Sequence, residues 1–201
     1  MNINKKFINV INAVTSKMPL ATGWIILGVL ALIVLYIIFV FNSLIMLRNR
    51  VNNAWSQIDV QLKRRYDLIP NLINSVKGYM KHERGVLTEI TKMRSKLVSG
   101  SMSQKSKASD AVSNALKTIF AVSENYPKLQ ASENFKMLQE ELAGTESKIA
   151  FARQFYNDNV MALNNKIQQF PSSVIANILK FKEREFFKSA ESEKKPVKVE
   201  F

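Results

Sequence analysis

The chain has 201 residues, 47% of them hydrophobic, and a formal charge of +13 from 29 basic and 16 acidic side chains. A balance this basic points to an anionic partner: phospholipid, nucleic acid or an acidic protein. The absence of cysteine excludes disulfides, thiolate catalysis, cysteine zinc sites and lipidation on cysteine, while six glycines and five prolines leave little punctuation for short strands and favour long helices.

Residues 1–19 form a flank carrying Lys5, Lys6 and Lys17, and its KKFINVINAV segment is basic and amphipathic, as an interfacial segment would be. Residues 20–41 are expected to be a transmembrane helix. Their most apolar part, GWIILGVLALIVLYIIFVF from Gly23 to Phe41, spans about 30 Å as a helix, the thickness of a bilayer's hydrocarbon core. Trp24 stands where an interfacial anchor would sit. A cleaved signal peptide would have a shorter apolar run ending in small residues, whereas this one ends in Phe39, Val40 and Phe41. Basic residues nearly balance on the two flanks, so the side of the membrane that holds the remainder stays open.

Residues 42–170 read as a helical bundle. Leu44, Leu47, Val51, Ala54, Ile58 and Leu62 make one face of a helix continuing from the span, with Trp55 and Tyr66 beside it. Pro70 disfavours a helical Ile69 and is expected to start a second helix, read through Leu72, Val76, Tyr79, Val86, Ile90, Met93 and Leu97. The polar stretch from Val98 to Asp110 reads as a flexible connection. A third, shorter helix carries Ala111, Ala115, Ile119 and Val122 and ends before Pro127. The fourth has the most regular stripe: Phe135, Leu138, Leu142, Thr145, Ile149, Ala152, Tyr156, Asn159, Leu163 and Phe170. It should be capped near Ser132, run for about 40 residues or about 60 Å, and end at Pro171. The fold class is therefore all-α: an N-terminal transmembrane helix continuing into an elongated antiparallel bundle of about four helices with coiled-coil-like packing.

Residues 171–187 hold apolar and aromatic anchors (Val174, Ile175, Ile178, Leu179, Phe181, Phe186 and Phe187) and are expected to pack on the bundle. Residues 188–201 are charged and aperiodic, which reads as a disordered tail. Charge has a geography. Residues 45–99 hold eleven basic and four acidic residues, whereas residues 105–160 hold seven of each.

No catalytic, cofactor or metal site is expected. His82 is the single histidine, which cannot supply the two Glu-x-x-His motifs of a di-iron bundle. Glu140, Glu141 and Glu146 read as a solvated face, and no glycine-rich phosphate loop is present. Lys63, Arg64 and Arg65 are consecutive cations, but they fan over about 200° of a helix and lack a nucleic-acid motif. A straight helix would place Lys63 about 33 Å beyond the apolar run, several Debye lengths from its own bilayer. Asp59 and Asp67 stand at i,i+4 spacing from Lys63 and can pair with it.

The run RNRVNNAWSQIDVQLKRRYDLIPNLINSVKGYMKHE, from Arg48 to Glu83, resembles the signature of the LemA family of bacterial single-pass membrane proteins. Two later blocks, IFAVSENYPKLQASENFKMLQEELAGTESKIAFARQFYND and IQQFPSSVIANILKFKEREFF, extend the resemblance over residues 42–187. Leu163 departs from it, standing where the family pattern has a tyrosine. The resemblance implies one amino-terminal span in the bacterial inner membrane, a long antiparallel bundle and no established enzymatic activity. Some relatives are associated with building intracellular membranes. The favoured reading is a non-enzymatic, membrane-anchored scaffold without cofactors that meets a protein partner or a second copy of itself. Its candidate interaction residues are Lys63, Arg64, Arg65, Phe181, Lys182, Arg184, Phe186 and Phe187. The alternative is a membrane-shaping protein that binds anionic lipid or polymerises on membranes. A third reading, an enzyme, would rest on His82.

Overall fold

The computed structural model describes residues 20–80 and 84–187, with side chains from Thr22 onward. The amino-terminal flank, His82 and the charged tail lie outside the described residues. Within them the chain is all-α. A 57-residue helix, α1, runs from Leu20 to Val76. Shorter pieces follow: α2 (Arg84–Arg94), α3 (Lys96–Ser99), α4 (Met102–Ser123) and α5 (Pro127–Gln130). A second long helix, α6 (Glu133–Gln168), and a final helix of about two turns, α7 (Ser172–Ile178), complete the fold.

Two helices dominate because their apolar stripes are long and uninterrupted. No glycine or proline stands between Gly28 and Pro70, so α1 meets nothing to break it. Leu44, Val51, Ala54, Ile58, Leu62 and Ile69 are buried along its inner face. They face Phe135, Leu142, Ile149, Ala152, Tyr156, Val160 and Leu163 of α6, all buried. Arg64 meets Glu141, Trp55 meets Tyr156 and Lys166 reaches Phe39, so the two helices are antiparallel. At 1.5 Å per residue α6 is about 54 Å long, and the bundle is accordingly elongated. The helices α2 to α4 pack along the distal half of α1.

The amino-terminal part of α1 is different. An 18-residue stretch there has mean hydropathy 3.1, and only 6% of it is buried. A core helix of a soluble bundle would be covered, so length, composition and exposure together suit a membrane span. The bundle core begins at Val40 and Leu44 without a break in the helix.

Several boundaries differ from the sequence reading. Pro70 lies inside α1 rather than at a turn. Its missing N–H frees the carbonyl of Tyr66, and Arg94 Nε donates to that oxygen at 2.9 Å. The Arg94 guanidinium also stacks 3.8 Å from the Tyr66 ring centroid. A residue 24 positions downstream thus supplies the bond that proline withholds, and the helix passes through. Leu72 and Val76 consequently belong to α1, and the chain leaves the helix after Val76.

The stretch from Val98 to Asp110 is mostly helix. Ser101 and Gln104 form a reciprocal capping box that starts α4. The junction before it is tight: a Cβ on Gly100 would lie 2.7 Å from the Lys96 carbonyl oxygen. Ser132 does stand at the N-cap of α6, but its side chain makes no capping bond. Phe170, expected on the core stripe, is exposed because α6 ends at Gln168, before the stripe reaches it.

Candidate functional site

The three cations of α1 go three ways. Lys63 pairs with Asp67 of its own helix at 2.5 Å and lies 5.2 Å from the Tyr66 ring centroid. Arg64 crosses to Glu141 of α6 at 2.5 Å. Both are exposed, as a partner-facing role requires. Arg65 is not: it is 0% exposed. Its Nη1 donates to the carbonyl of Ser109 and the hydroxyls of Ser109 and Ser113 at 3.1–3.2 Å, and its Nη2 donates to Glu146. Arg65 is therefore corrected from a surface contact to a buried tie between α1, α4 and α6.

The tie extends further. Arg153 of α6 donates to Ser109 Oγ at 2.8 Å and to Asp110 at 2.7 Å. Ser113 donates to Glu146 at 2.7 Å. Burial pulls the Arg65 guanidinium down to about 10, with Glu146 opposing that shift, Arg153 adding to it and Asp110 opposing it. The group stays charged at neutral pH. Nearby, Lys105 reaches Asp59 at 2.6 Å and sits over the Trp55 ring. These residues fall in the polar stretch that sequence reasoning set aside. Their signal was the S-x-x-Q pattern from Ser101 to Gln104, which marks a helix start.

The other candidate residues lie on a strap. α7 closes with Lys180 at φ 56°, Lys180 N–H on the Asn177 carbonyl at 3.0 Å and Phe181 N–H on the Ala176 carbonyl at 2.9 Å. This is a Schellman closure with lysine in the place usually taken by glycine. The chain then runs extended along α6. Asn164 accepts from the Arg184 N–H and donates to its carbonyl, both at 2.9 Å. Asn157 does the same for Phe187, at 2.8 and 3.1 Å. The spacing fits: seven helical residues and three extended residues both advance about 10 Å. Tyr156 Oη adds a bond to the Glu185 carbonyl at 3.0 Å. Burial raises the Tyr156 hydroxyl above its ordinary value, with Arg184 opposing and Glu185 reinforcing the shift.

The strap sorts the candidates. Phe187 is buried against Trp55, their ring centroids 6.0 Å apart, under the Arg153 guanidinium. Phe181 is half-buried beneath Arg48. Lys182, Arg184 and Phe186 remain exposed. A shallow groove of about 430 Å³, lined by Arg48, Lys180, Lys182 and Arg184 among others, opens beside the strap. A second groove of about 540 Å³, which sequence reasoning missed, runs between the long helices, with Asn53, Gln57 and Gln61 on one wall and Phe151 and Phe155 on the other. Phe151 and Phe155 lie off the core stripe, and only an exposed aromatic pair at i,i+4 could have signalled it. Among the described residues no cluster of three or more metal-ligating side chains occurs.

A family model described as LemA family matches residues 54–201. Protein LemA of Metamycoplasma hominis is 29% identical over 198 residues, covering 92% of this chain and 88% of the relative. Magnetosome protein MamQ 2 of Paramagnetospirillum magneticum is 32% identical over 84 residues, covering 42% of this chain and 31% of the relative. Magnetosome protein MamQ of Magnetospirillum gryphiswaldense is 32% identical over 74 residues, covering 37% of this chain and 27% of the relative.

Proposed function

We propose, from the premise that this chain belongs to the LemA family, that it is a non-enzymatic scaffold anchored in the bacterial inner membrane by α1. The observation that carries this is the continuity of α1. One helix passes from an apolar, uncovered segment into the bundle core without a hinge. A bundle mounted so rigidly holds its surface at a fixed height and angle, which suits a scaffold. Lys63, Arg64, Lys182, Arg184 and Phe186 are the exposed groups offered to a protein partner or a second copy, and Arg65, Phe181 and Phe187 hold the surface in shape.

The membrane-shaping alternative draws on the basic half-bundle and on the amphipathic KKFINVINAV segment, which lies outside the described residues. The corner at Lys63 and Arg64 is paired with Asp67 and Glu141, which leaves less free charge there for lipid. Anchoring is tested by alkaline carbonate extraction of membranes: the full chain should stay in the pellet, and release would overturn it. The scaffold surface is tested by in-cell crosslinking in a chain with no native cysteine to interfere. Arg64→Ala with Lys182→Ala and Phe186→Ala should remove crosslinked species, and an unchanged pattern would move the surface elsewhere.

A further inference from the structure

The end of the bundle nearest the apolar segment has a face that its own fold leaves uncovered. Phe170 is 84% exposed, Val174 51%, Ile178 72% and Leu179 42%. Val174 and Ile178 are four apart on α7, the buried residues Ser172, Ile175 and Ala176 take the opposite side, and Phe170 is exposed in the turn just before the helix. The short helix thus carries apolar side chains on both sides: Ile175 and Ala176 face the bundle, while Val174 and Ile178 face outward beside Asn177.

The height of this face follows from the helix register. Paired residues on α1 and α6 have numbers adding to 205–211. Phe170, two residues beyond α6, is therefore level with residues 35–41, the last turns of the apolar run. Lys166 shows the same level directly, its Nζ lying 5.8 Å from the Phe39 ring centroid. Cations lie near the patch: Lys180, Lys182, Arg48 and Arg184 line the groove that Leu179 shares, and Lys166 stands one turn before Phe170 over the Phe39 ring. The acids beside them are Glu183, which accepts from Gln168, and Glu185.

We propose that this base is a second membrane contact. Phe170, Val174, Ile178 and Leu179 sit in the headgroup–acyl boundary of the bilayer that α1 crosses, and Lys166, Lys180 and Lys182 meet anionic headgroups. The inference rests on the anchoring by α1 and adds to it. An apolar patch at the level of a span's end, with lysines nearby that can extend to headgroups, matches the layered chemistry of a membrane interface. The span fixes the height, and the base then fixes the angle.

The test uses the full chain in vesicles of phosphatidylcholine with or without phosphatidylglycerol. Single cysteines replace Ile33, Val174, Ile178 or Phe155, and each carries a fluorophore read against lipid-borne quenchers. Quenching at 33, 174 and 178 but not at 155 is expected. Silence at 174 and 178 with quenching at 33 would overturn this inference and leave the anchor standing. Silence at 33 would overturn the anchor itself. Phosphatidylglycerol should strengthen the signal at 174 and 178, and 1 M salt should cancel that gain. Each of Lys166→Gln, Lys180→Gln and Lys182→Gln should shift the seated population ratio by up to roughly fivefold. A signal indifferent to lipid charge would refute the headgroup contact. A disulfide between two copies carrying Ile178→Cys, in place of quenching, would assign the face to a second chain.

Discussion

The helix α6 is fastened at two places, and the two fastenings use opposite chemistry. Around its middle, Glu146 and Arg153 engage Arg65, Ser109, Ser113 and Asp110 through charge. Toward its carboxy-terminal half, Asn157 and Asn164 engage only the backbone of an extended segment. A buried guanidinium constrains every element around it, because desolvation makes any unpaired arrangement expensive. A carboxamide imitates a strand neighbour and makes no demand on the strap's side chains. The first fastening should therefore fail globally and the second locally.

Arg65→Ala gives the largest break, about 3–5 kcal/mol, because it strands Glu146 and the serine hydroxyls and opens a cavity. Arg65→Met, which keeps the stem but still leaves Glu146 and the serine hydroxyls without their donor, should recover only the cavity part of that loss in urea unfolding of the detergent-solubilised chain. Asn164→Ala should cost about 1–3 kcal/mol. Hydrogen exchange should then show the Arg184 amide unprotected while α1 keeps its protection. Uniform deprotection would erase the distinction between the two fastenings.

Arg94→Ala should cost about 1–2 kcal/mol, by orphaning the Tyr66 carbonyl and removing the stacked guanidinium. In a Pro70→Ala background the restored N–H should recover part of it, and a double-mutant cycle would read the coupling. Lys63→Ala should change stability by less than about 1 kcal/mol, since its pair is exposed. The smallest effect concerns pH. Tyr156 is raised above 10 in the fold, so its contribution is complete below pH 10 and fades as pH rises through the folded value. Strap amides should lose protection there before the bundle unfolds.

The long stripes were legible because burial on one helical face leaves a period in the sequence. Most of Leu44 to Leu62 and Phe135 to Leu163 fell where that period placed them, while Leu47, Leu138 and Asn159 are half-buried and Val160 takes the inward place beside Asn159. The Pro70 boundary was not legible, because the compensating donor is a distant arginine that no local pattern announces. The segment from Val98 to Asp110 misled for a related reason: beside Ala108 its buried residues are Lys105, Ser106 and Ser109, polar residues that mimic a loop. Of the candidate residues, Lys63 and Arg64 lay outside as read, but the inward turn of Arg65 depends on Glu146, 81 positions away. The two asparagine clasps carry no signal in a single chain, since asparagine is an ordinary surface residue.

The unbroken α1 has a mechanical consequence. From Phe41 to Val76 it forms an arm of roughly 50 Å. With no hinge to absorb a rotation, a change of about 10° in the tilt of the span sweeps the tip near Val76 sideways by roughly 9 Å. Bilayer thickness, through the tilt it imposes, would become a lateral displacement at the far end of the bundle, a movement that a seated base would restrain.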